Sequence, residues 1–169
     1  MNGKTIVTIL VLAGLVPGFT NSYAAEPVEP VEPGTAIRLS PELLELLRAE
    51  MREISGGIQA IAASLATADW QSIQETSAKI RSSYIMEQRL TPSQVSELET
   101  ALPERFRQLD ADFHQRAGKL GEAAAGADPE LVVFHYSRLV ESCTRCHAAY
   151  ATSRFPGFAD RAAQEHHHH

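Results

Sequence analysis

The chain has 169 residues, with 15 Lys and Arg against 21 Asp and Glu and a formal net charge of −6. Apolar residues make up 44% and charged residues 21%, the balance of a globular protein long enough to bury a real core. The acidic balance, with no basic patch, argues against nucleic acid as a partner.

In chain order, Lys4 precedes an apolar run from Ile6 to Val16, a Pro17-Gly18 break, and Ser22-Tyr23-Ala24. This is the layout of a secretory signal peptide over residues 1–24, with cleavage expected after Ala24. The run is too short to span a bilayer comfortably, so no membrane span is expected in the mature chain. Removing residues 1–24 leaves 14 basic against 21 acidic side chains, a formal −7. Residues 25–39 carry a Glu-Pro-Val triplet repeat, which favours a solvated polyproline II spacer.

A helical domain is expected over 40–158. Ser40-Pro41 reads as an N-cap followed by proline at the first helical position. Leu44, Leu47, Met51, Ile54, Ile58, Ile61 and Leu65 then recur at spacings of three and four, the stripe of a helix packed in a bundle. Gly56-Gly57 inside it suggest close approach to a neighbouring helix or a flat ligand. Asp69 caps a second helix with Trp70, Ile73, Ser77, Ile80 and Tyr84 inward, reaching to about Arg89. Thr91-Pro92 with Gln94 is a capping box that opens a third, which Pro103 should kink or restart. Phe106, Leu109, Phe113, Ala117 and Leu120 carry its stripe to Gly126. Asp128-Pro129 opens a fourth, with Val132, Tyr136, Leu139, Cys143, Cys146 and Tyr150 on one face. Four amphipathic helices joined by short loops predict an all-α, up-down-up-down four-helix bundle. Residues 159–169 read as a C-terminal tail ending in histidines, a tag remnant or a disordered segment.

Cys143-Thr-Arg-Cys146-His147 holds the chain's only cysteines, so no sulfur is left for a disulfide elsewhere. Two cysteines three apart with a histidine directly after form the attachment signature of a c-type haem. On a helix both thiols reach nearly the same face, where they can add across the two vinyl groups of one porphyrin. The histidine one position on can place a ring nitrogen on the iron. The competing readings are a chance match, a redox pair and half of a zinc site. A redox CxxC opens a helix after a strand, and no stretch here reads as a strand. A structural zinc site wants a second ligand pair, and the remaining histidines are not spaced for one.

From Ser40 to about Phe158 the chain resembles cytochrome c′ and its low-spin relatives, exported four-helix bundles whose last helix carries CxxCH near the C-terminus. The specific part of the resemblance is Cys143, Cys146 and His147; the remainder is helix order and stripe. It implies one covalently attached haem c near the C-terminal helix, with His147 as the proximal iron ligand. In this family the far face of the iron is covered by a residue of the first helix, and by register that residue is Met51. A methionine there makes the haem six-coordinate and low-spin and raises its potential; the alternative for Met51 is ordinary core packing. Relatives often carry a basic residue four after the haem histidine, whereas Ala151 stands here and Arg154 follows three later.

His114 and His135 flank aromatic positions and are read as half-exposed boundary residues. The resulting expectation is a bacterial periplasmic electron carrier with redox-protein partners, not an enzyme: beyond the haem no paired carboxylates or nucleophile constellation is present. Peroxidase-like side activity belongs only to an open iron. The second expectation is a five-coordinate gas-binding protein with Met51 lining a distal cavity. Family members often pair through their first two helices, so the resemblance also allows a homodimer.

Overall fold

A computed structural model describes residues 37–158, and the expected signal peptide, most of the spacer and the histidine tail lie outside the described residues. Within that range the regular structure is helical: α1 (Pro41–Ala66), α2 (Trp70–Arg81), α3 (Met86–Arg89), α4 (Pro92–Ala101), α5 (Glu104–Ala125) and α6 (Pro129–Tyr150). Helices α1, α2, α4 and α6 start where their cap chemistry puts them, whereas α5 follows Pro103 without a side-chain cap. The Ser40, Asp69 and Asp128 side chains accept N–H bonds from the first turns of α1, α2 and α6. The Thr91 and Gln94 side chains bond reciprocally as a capping box on α4.

One expectation is corrected and another is met. The second helix ends at Arg81, well short of Arg89, because Ser83 adopts a left-handed φ of 57° and turns the chain out of the helix. Pro103, which lacks an N–H, separates the expected third helix into α4 and α5. Residues 82–103 therefore form a connection holding the short α3 and α4. The main packing joins α1 to α2, α2 to α5 and α5 to α6.

The core is built by Ile61, Ile73, Ile80, Ala117, Leu120, Ala123, Ala124, Val132 and Leu139, all buried. Burying a side chain such as Leu120 or Ile80 fully stabilises the fold by roughly 1.5–3 kcal/mol each before entropy costs. The inward line of α1 runs through Leu43, Glu50, Ile54, Gly57 and Ile61, one position off the expected Leu44 and Met51 in its first half. The cause is chemical: the Glu50 carboxylate meets backbone donors inside, and Met51 beside it is left 39% exposed. Contacts between neighbouring helices run in opposite numerical order. Gly57 lies against Ile80 and Thr76, whereas Glu50 bonds to residues 84–86. His114 meets Ile80, whereas Gly121 meets Ser77 and Gln74. Phe106 meets Tyr150, whereas Asp112 meets Arg145.

Candidate functional site

The CxxCH residues lie in the last two turns of α6, which runs unbroken from Pro129 to Tyr150. Its end is closed by the Ala151 N–H, which donates to the His147 carbonyl at 2.9 Å. Both cysteines are free and half-buried. They do not form the innermost line of the helix, as the stripe predicts. Val132, Leu139, Ser142 and Ala149 do, with the cysteines at its flank. The Cys143 thiol donates weakly to the Leu139 carbonyl at 3.8 Å.

Burial raises the Cys143 pKa, and burial with the charges of Asp110 and Cys143 pushes Cys146 up to about 11. Both are therefore thiols at neutral pH. They also sit at the helix end whose dipole favours cations, which is the wrong end for stabilising a thiolate. That environment disfavours a thioredoxin-like nucleophile. Among the described residues, no three His, Cys, Asp or Glu side chains are grouped to hold a metal ion.

The His147 ring stacks on Phe155 with centroids 4.8 Å apart and planes 26° from parallel, and the Phe158 ring meets it edge-on at 6.4 Å. Burial lowers its pKa, which keeps the imidazole neutral and a ring nitrogen lone pair available. Neither ring nitrogen has a hydrogen-bond partner among the described residues. Phe155 and Phe158 reach the ring because residues 151–158 turn back: the Arg154 and Phe155 N–H groups both donate to the Ala151 carbonyl.

Met51 is 39% exposed. Its neighbour Glu50 is the inward residue, 2% exposed, and sequence reasoning missed it. One carboxylate oxygen accepts from Tyr84 N at 2.9 Å, and the other from Ile85 N at 2.6 Å and Met86 N at 3.3 Å. Its position seven after Leu43 was the available signal. His114 also departs from the idle boundary role expected of it. Its Nδ1–H donates to the Ile80 carbonyl at 2.7 Å, and its Nε2 faces Asp110 at 3.7 Å, an ionic contact between α5 residues. His135 meets only the edge of the Phe134 ring, at 5.2 Å. An open groove of about 420 Å³ between α2 and α5 is lined by Ala78, Arg81, Gly118 and Gly121 among others and by no residue of α6, so it is separate from this site.

No family model, curated protein or solved structure matches the chain.

Proposed function

We propose that this chain is an exported c-type cytochrome of the cytochrome c′ kind, an up-down-up-down bundle of α1, α2, α5 and α6 that carries single electrons. Cys143 and Cys146 would hold one haem c through thioethers, and His147 would bind its iron on the proximal side. The haem, when bound, supplies the one-electron ferric/ferrous couple. The observation that carries the reading is the donor set itself. Two protonated, half-buried thiols stand one helical turn apart, and next to them is a neutral imidazole with no hydrogen-bond partner among the described residues. Their i, i+3 and i+4 spacing on one helix is the pattern that would grip a planar group at its rim and offer a ring nitrogen to its metal.

The opposite numbering of contacts along each helix pair supports the up-down-up-down topology. Between α1 and α6 the Tyr136 hydroxyl donates to the Ile58 carbonyl at 3.3 Å. In an antiparallel pair, seven residues back from Ile58 and seven on from Tyr136 reach Met51 and Cys143 at one level, each about 10 Å along its helix. That shared level is what supports Met51 as the distal ligand. The protein's own part would then be to offer the neutral imidazole of His147 and the soft thioether of Met51 to the iron, and to shield one side of the site with Phe155 and Phe158. Such a fixed ligand set changes little on reduction, which suits electron carriage.

A second reading is favoured by the exposure of Met51: a five-coordinate iron open to small gases. Protein exported from a host that matures c-type cytochromes tests both. A polypeptide mass increased by one haem supports attachment, and the bare mass with two free thiols ends the proposal. Sharp reduced bands unmoved by carbon monoxide support the carrier; a broad spectrum that changes with the gas selects the gas-binding reading.

A further inference from the structure

The chain is acidic, but its acid is not evenly spread. Residues 142–158 contain no Asp or Glu and two arginines, Arg145 and Arg154. Arg154 is exposed and lies over the Phe155 ring, with its guanidinium carbon 5.7 Å from the centroid. Phe155 in turn stacks on His147 and is itself 38% exposed. Arg154, Phe155 and His147 are thus linked from solvent to the candidate ligand. Arg105 joins this end of the molecule, since the ring of the next residue, Phe106, meets Tyr150 edge-on at 5.3 Å. Acids at this end have partners of their own. Glu104 pairs with Arg107, Glu141 bonds Arg138 at 2.7 Å, Asp112 bonds Arg116 at 2.9 Å and meets Arg145 at 4.0 Å, and Asp110 faces His114 at 3.7 Å.

We propose that Arg154, Phe155 and Arg105 form the docking surface for an acidic protein, the electron-exchange partner of the function proposed above, on which this inference rests. Phe155 supplies an exposed aromatic ring that docking would cover, and the two arginines supply orientation and encounter rate. An anionic lipid surface fits less well, because a broad membrane contact would also repel the acidic remainder of the chain. The expected partner charge is therefore opposite to the one that net charge alone suggests.

The test uses the full exported chain and a fluorescent hexaglutamate peptide as the probe, followed by anisotropy at low and high salt. Saturable binding at low salt, lost at high salt and weakened severalfold by Arg154→Glu and by Arg105→Glu, is expected. Lys79→Glu, the same charge reversal on α2, should leave it unchanged. Absence of binding to the native chain, or equal loss with Lys79→Glu, overturns the proposal. So does sedimentation with phosphatidylglycerol vesicles without peptide binding, which would assign the surface to lipid. Peptide binding needs no haem signal, so failure of haem attachment and failure of the docking surface are read separately.

Discussion

A carboxylate has two oxygens and can satisfy several backbone donors at once, and Glu50 accepts from three consecutive N–H groups across the Tyr84–Met86 turn. Each is a charge-assisted bond in a dry setting, and together they tie α1 to the connection that follows α2. Glu50→Gln keeps the shape but replaces one acceptor oxygen with an NH₂ that faces donors. The expected loss is about 1–3 kcal/mol of unfolding free energy, measured by urea denaturation. His114 makes a different kind of tie. Burial opposes its charge, but Asp110, the Ile80 carbonyl and the more distant Glu50 outweigh burial and raise its pKa. A raised folded pKa gives a contribution that is complete below the unfolded value and declines as pH climbs through the folded one. Between about pH 5 and 8 the native chain should therefore lose stability relative to His114→Asn as pH rises, and a flat difference would show that the ring is neutral throughout.

At the scale of elements, two adjacent glycines in α1 serve different ends. A Cβ on Gly57 would sit 2.7 Å from the Tyr84 hydroxyl and 3.3 Å from Ile80 Cδ1, so α1 and α2 approach there through a missing side chain. Gly56 has open space around it. Gly56→Ala should stabilise the protein by about 0.5–1 kcal/mol through helix propensity, whereas Gly57→Leu should cost roughly 1–3 kcal/mol by forcing the helices apart. Thermal unfolding of the two variants checks both signs. The helix starts were legible in the residues themselves: Ser40-Pro41, Asp69, Thr91 with Gln94, and Asp128-Pro129 each carry a local hydrogen-bonding signature. The end of α2 was not, because the apolar spacing continues through Tyr84 while the backbone leaves the helix at Ser83.

Across the whole molecule, the proposed function depends on how α1 and α6 face each other. Their one hydrogen bond, Tyr136 to Ile58, fixes a level from which Met51 and Cys143 are equally distant in sequence. Met51→Leu removes the thioether while keeping an apolar side chain of similar size. In the haem-loaded protein it should convert a gas-insensitive reduced spectrum into one that shifts with carbon monoxide. An unchanged spectrum would exclude Met51 as the ligand. If the native spectrum already shifts, the five-coordinate reading stands and Met51 is only a neighbour.

The order of residues by itself determined the all-helical character, the four cap positions, the break at Pro103 and the Cys143-Thr-Arg-Cys146-His147 motif, because each rests on chemistry within a few positions of chain. Only the tertiary structure decided that Glu50 and not Met51 turns inward, that His114 is tethered to Ile80, and that Phe155 lies on His147. Those outcomes depend on which partner a distant segment brings. A polar side chain can occupy an inward position when donors from 34 to 36 residues away meet it there, and no local spacing announces their arrival.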